Sequence, residues 1–338
     1  MPPRLAFAGS PRSVSPWLLH AISRIGIFEA ICGEDAEREI TRFQARWAFE
    51  SDLSAMLKEA EPDGVILACA PSERSRLIKE CLTAGAGVLA IGAPGTMAAC
   101  KRLAVFAKLA GRFVLSAPAI RFSPSLLMAR RLIDSGKLGM PVSVSLNSTR
   151  RSSTPDSADS GPMSFDQIFE AVDLVHHLTG SIQRGFAMTH PDGAMVVSAS
   201  AGNQVPVSMV FHANGASDAV GIELEIRASD GTRLRIGRDG GLICANGPQV
   251  SASRQVTLAE VEPLQELGYE GLTAEFRRHL EAGRSSLGLI GPVMEVTAGT
   301  EAILASAAKG RAVTPKIPSA ESRDAAKQDV AGKLEIAG

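Results

Sequence analysis

Asp63-Gly-Val-Ile-Leu-Ala-Cys-Ala70 is the stretch on which the fold turns. It is apolar at nearly every position, without the alternation expected of a strand that has one face in water. Such a run reads as a parallel strand covered on both sides. Its neighbours agree. Upstream, Arg4-Leu-Ala-Phe-Ala8 reads as a short buried strand ending at Gly9, and Phe28-Glu-Ala-Ile-Cys32 as a second. Downstream, a helix over 73–84 leads to Gly87-Val-Leu-Ala-Ile91, and a helix over 97–110 leads to Phe113-Val-Leu-Ser116. Strands alternating with helices define βαβ units, and hence a doubly wound parallel sheet over residues 1–120.

The second half changes character. After a helix over 124–135 come the strand Val142-Ser-Val-Ser-Leu146, a polar loop Ser148–Ser160 and a helix over about 164–178. Alternating runs follow at 184–189, 194–200, 205–212, 220–228 and 232–237, the pattern of antiparallel strands with one covered face. Helices near 270–281 and 293–308 close the fold. The expected class is α/β: a Rossmann-like N-terminal domain, then an α+β domain over 121–313 with a large open, mostly antiparallel sheet. A tail over 314–338, rich in Ala, Lys, Glu and Asp, reads as loose or marginally helical.

Composition narrows the function classes. The 338 residues suit two domains rather than one core. A net charge of −1 and 4% aromatic residues provide neither a field nor a stacking surface for nucleic acid. The five cysteines are scattered and show no CxxC or Cys/His spacing, so neither a metal site nor a disulfide framework is expected. No stretch approaches the roughly 18 apolar residues of a membrane span, and the N-terminus lacks a signal-peptide core. A cytoplasmic protein is the expectation.

Five segments, in order and spacing, resemble the glucose–fructose oxidoreductase/inositol dehydrogenase (Gfo/Idh/MocA) family. Pro62–Ser72 is similar to its third strand and proline-bearing exit loop. Ala84–Pro94 is similar to the segment that ends in Glu-Lys-Pro, and Ile120-Arg-Phe-Ser-Pro124 to the Arg-Phe-x-Pro opening the second domain. Leu132–Val142 is similar to the next helix and strand, and Asp166–Gly180 to the active-site helix. The resemblance implies NAD or NADP as cofactor, a small sugar, polyol or carbonyl compound as substrate, and a homo-oligomer built on the C-terminal sheet.

The resemblance also places the site, and the chain departs from it there. Cofactor contacts fall to Gly9, Ser10, Arg12, Ser13, Glu34, Ala70, Pro71 and Pro94. Of the glycine fingerprint only Gly9 remains; Pro11 and Val14 stand where other glycines are expected. Ser10, Arg12 and Ser13 either hold a phosphate by side chain or form an ordinary turn. Glu34 either binds the ribose or belongs to an acidic surface turn. Ala93 replaces the lysine of Glu-Lys-Pro, and along the chain no basic residue follows until Lys101.

On the active-site helix Glu170 stands in the histidine's place, four residues after Asp166. Asp166, Glu170, Asp173 and His177 are spaced to share one helix face. They read either as acid–base machinery, with Arg121 binding an anionic group or pairing with Asp166 or Glu170, or as a solvated acidic stripe on the cleft. A metal site from the same residues is the weakest reading, and none is assigned. The chain is thus expected to be a divergent oxidoreductase of this type or a catalytically inactive relative serving as a binding or assembly subunit.

Overall fold

The computed structural model describes residues 2–10, 14–33, 36–49, 52–149, 164–212, 221–237, 242–245, 254–256, 268–282 and 290–316. The apolar run becomes β4 (Gly64–Ala68), buried at all five positions as a doubly covered strand must be. It pairs in parallel with β1 (Arg4–Gly9) on one side and β5 (Gly87–Ala90) on the other. With β2 (Ile27–Cys32), β3 (Trp47–Phe49) and β6 (Val114–Leu115) it forms a six-stranded sheet of order β3-β2-β1-β4-β5-β6. β1 therefore lies at the point where the winding reverses.

The helices α1 (Pro16–Ile22), α2 (Ala36–Phe43), α3 (Leu53–Ala60), α4 (Pro71–Thr83) and α5 (Met97–Leu109) connect these strands. β3 is absent from the sequence expectation. At three residues, with Trp47 half exposed, it is an edge strand too short to show a period.

Among the described residues the second sheet has eight strands. β7 (Pro141–Thr149), β8 (Ile182–Thr189), β9 (Met195–Ala201), β10 (Val205–His212), β11 (Gly221–Ala228) and β12 (Arg233–Ile236) follow the sequence expectation closely. β13 (Leu242–Ala245) and β14 (Arg254–Val256) extend its edge, giving the order β14-β13-β12-β11-β7-β10-β9-β8. Only β7 and β10 run parallel; the other pairs are antiparallel.

One row crosses six strands through register partners Ala187, Val197, Met209, Leu146, Leu224 and Ile236, each no more than 3% exposed. The amphipathic period of α7 (Phe165–Thr179) contributes Ile168, Val172 and Val175 to the same buried core. On the opposite face Met188 and Val196, which are register partners, stand exposed. Of the polar loop expected over Ser148–Ser160, Ser148 and Thr149 instead end β7, and the rest lies outside the described residues, as does the tail beyond residue 316.

Two late helices tie the halves together. After α6 (Pro124–Asp134), α7 and the second sheet, the chain returns as α8 (Tyr269–Ala282) to the first sheet. There Phe276 is fully buried, edge-on to Phe113 at 5.8 Å. A buried phenylalanine contributes roughly 2–3 kcal/mol, which anchors the return. α9 (Ile290–Lys309) then spans both halves. Its Glu301 Oε1 accepts from Met97 N at 2.8 Å, and its Ser306 Oγ accepts from Ala187 N at 3.0 Å.

Candidate active site

Function in such sheets gathers at the carboxyl edge beside the winding reversal. Gly9 ends β1 there at φ +125°, and a Cβ on it would lie 1.7 Å from the Ala68 carbonyl oxygen. No other residue lets β1 and β4 approach this closely. Ser10 N donates to the same carbonyl at 3.0 Å, turning the chain away from the sheet. Ala70 caps α4 without a side-chain bond, and Ala70 and Pro71 are exposed on the rim. Arg12, Ser13 and Glu34 lie outside the described residues.

Across this edge, the loop after β5 meets α7. Asp166, in the first turn of α7, accepts from Arg74 Nη1 and Nη2, each at 2.9 Å, and from Ala93 N at 2.8 Å. Arg74 Nη1 also donates to Ala93 O at 2.7 Å, and Nη2 to Cys69 O at 3.1 Å. The backbone of Ala93 is thus held on both sides by one ion pair. Gly92, at φ +94°, makes room for it: a Cβ there would fall 2.6 Å from Asp166 Oδ2. Ser116 Oγ donates to Gly92 O at 2.8 Å, and Pro94 is buried behind the loop. The position without a lysine therefore sits against a guanidinium supplied from α4.

Sequence reasoning missed Arg74, although a signal was present. Arg74, Ile78, Cys81 and Leu82 are the buried positions of α4, spaced 4, 3 and 1 apart. A charge in phase with an apolar stripe enters the interior with that stripe, and there it must find a counter-charge.

Further along α7 the acidic face is not a solvated stripe. Asp173 is 1% exposed and accepts from Arg121 Nη1 at 2.9 Å, so Arg121 pairs with it rather than with Asp166 or Glu170. Burial holds the Asp173 carboxyl above its ordinary value despite the opposing pull of Arg121. Arg121 Nε also donates to His177 Nδ1 at 3.3 Å, leaving the ring proton on Nε2. His176 instead meets Glu295 on α9, Nε2 to Oε2 at 3.1 Å, and Ser181 donates to the same carboxylate.

Glu170 is partly exposed and lies on α7 between the paired Asp166 and Asp173. Near it lies Tyr269, the only tyrosine of the chain and the first residue of α8. Its phenol is raised from its ordinary value by burial; a hydrogen bond with Ser15 opposes this, and the negative charge of Glu170 adds to it. Nothing in the local sequence marks Tyr269; only the return of α8 brings it to the site.

His177 gives the site a pH signature. Burial, reinforced by Arg121 and Arg130, lowers its pKa to about 4. Above the unfolded value of about 6.5 the ring is neutral in both states and contributes no pH dependence. Between about 6.5 and 4 the unfolded chain takes up a proton that the native chain refuses, so stability falls as pH drops. Asp173, raised in the native state, acts with the opposite sign, gaining stability as pH falls toward carboxylate values. Urea unfolding at pH 7 and pH 5 should show wild type losing about 1–2 kcal/mol more than His177→Asn, whose amide oxygen still accepts from Arg121. Parallel losses in the two proteins would refute this assignment.

No protein-family model and no curated protein sequence matches the chain. Solved structures do. Levoglucosan dehydrogenase in complex with NADH and levoglucosan superposes with a TM-score of 0.78 at 16% identity, covering 92% of this chain and 98% of that one. An oxidoreductase from Agrobacterium radiobacter in complex with NAD+, L-tartaric acid and magnesium gives 0.75 at 14% identity, covering 93% and 98%. Myo-inositol 2-dehydrogenase from Lactobacillus plantarum gives 0.75 at 17% identity, covering 94% and 100%. The chain thus has the fold of the Gfo/Idh/MocA-type oxidoreductases over nearly its full length, as its sequence resemblance implied.

Proposed function

We propose that the chain is an oxidoreductase that uses NAD or NADP and acts on a hydroxyl group of a small sugar, polyol or related carbonyl compound. The observation carrying this reading is the edge at Gly9, where β1 and β4 meet with no side chain between them at the winding reversal. The carboxyl edge at such a reversal is where a doubly wound sheet takes a dinucleotide. The similar structures with NAD+ or NADH bound support the same choice of cofactor.

In this reading Gly9 gives the close approach to the pyrophosphate, the side chains of Ser10, Arg12 and Ser13 hold it, and Glu34 serves the ribose. Ala70, Pro71 and Pro94 border the nicotinamide end. The bound dinucleotide supplies the hydride acceptor. The chain itself handles the proton. Asp166 has both oxygens committed to Arg74 and Ala93, so it positions the loop. The hydroxyl proton passes to Glu170. Arg74 carries the local positive charge but, as a guanidinium, holds its proton throughout. Arg121, oriented by Asp173, faces the substrate's polar groups.

Titration of the purified protein with NADH and with NADPH, followed by nicotinamide fluorescence, tests this directly. Saturable binding at micromolar concentration, with loss of polyol oxidation but not of binding in Glu170→Gln, is expected. A protein that binds neither cofactor at millimolar concentration is not this enzyme.

A further inference from the structure

We propose that the second domain carries another binding site, at the far end of α7, for a small carboxylate with a hydrocarbon body. A cavity of about 860 Å³ opens there between α6, the C-terminal end of α7 and the beginnings of β7 and β10. Its volume falls in the range of small-molecule sites, which span about 300–1,000 Å³. From Glu170 to His177 the helix rises about 10 Å, so the cavity is separate from the proposed proton acceptor.

The lining defines the ligand. Arg121, Arg130 and His177 contribute to it, whereas among the described residues no aspartate or glutamate does. The acids that pair with the two arginines, Asp173 and Asp134, are outside the lining. Arg130 Nη1 also donates to the His177 carbonyl oxygen, which covers part of the negative helix end that would repel an anion. His177 Nε2 is a buried N–H with no partner among the described residues. Ile133, Met140 and Val205 make the wall apolar. Two guanidinium groups beside an apolar wall select a carboxylate head on a short hydrocarbon. Arg121 belongs to both places, because it lines this cavity and holds Asp173.

Butyrate and benzoate, compared with butanol and benzyl alcohol by calorimetry at constant ionic strength, test the proposal. Saturable binding of the carboxylates is expected, with the alcohols at least about tenfold weaker because they lack the charge. Met140→Trp, at an exposed position, narrows the cavity beside its apolar wall, and Arg130→Gln removes a cation from its rim. Each should weaken carboxylate binding by about tenfold or more, while the NADH titration of Met140→Trp stays as in wild type. Arg130→Gln carries the test alone if the tryptophan variant does not fold. Equal binding of acids and alcohols, no binding up to about 10 mM, a range that still reveals weak sites, or unchanged affinity in Arg130→Gln would overturn it.

Discussion

Asp166→Ala is expected to destabilise the protein by about 3 kcal/mol, more than the reverse deletion of its partner. The asymmetry follows from burial. Arg74 has a side chain 5% exposed, whereas that of Asp166 is 23% exposed. Removing Asp166 leaves a guanidinium sealed in the interior without its carboxylate, and it also strips Ala93 N of its acceptor. Arg74→Met leaves a carboxylate that still reaches water and keeps Ala93 N, so about 1–2 kcal/mol is expected there.

The double variant should cost less than the sum of the two, because neither charge is then left alone. Urea unfolding of the three variants at pH 7 gives the comparison. Equal single effects with strict additivity would show that the pair is not coupled. The prediction also bears on the site, since releasing Asp166 frees the Ala93–Pro94 loop that borders the proposed nicotinamide position.

Gly9→Ala should be about as damaging, near 3–4 kcal/mol, for a different reason. A left-handed backbone costs a non-glycine residue roughly 1–3 kcal/mol, and forced overpacking adds a similar amount. Here the methyl group would lie 1.7 Å from a carbonyl oxygen of β4, so two paired core strands have to separate. Thermal unfolding should fall by many degrees, and NADH binding should fall with it. Gly85→Ala is the control: φ is also positive at +84°, yet nothing lies within 4 Å of a Cβ there. That variant should pay only the backbone strain and keep cofactor binding. A Gly9→Ala protein with wild-type stability would mean that β1 and β4 do not approach as described.

The sequence set the architecture because burial on two faces and burial on one face leave different periods. The continuous apolar run at 63–70 could satisfy its surroundings only as an inner parallel strand. The alternating runs after residue 182 could do so only with one wet face. The short strands β3, β13 and β14 escaped because their pairing is supplied by neighbours.

At the site, the losses at Ala93 and Glu170 were legible as single letters, and so was the helix face shared by Asp166, Asp173 and His177. Their partners were not. Arg74 comes within 3 Å of Asp166 across 92 positions of chain, and Arg121 meets Asp173 across 52. Tyr269 reaches Ser15 because α8 doubles back onto the first sheet. Local sequence fixes which side chains must be buried, and that determined the two sheets and their helices. Which charge neutralises which depends on how those layers dock, because Coulomb attraction acts through space without regard to order along the chain. The tertiary structure alone turned an apparent acidic stripe into two ion pairs that grip a loop and an arginine, with Glu170 between them.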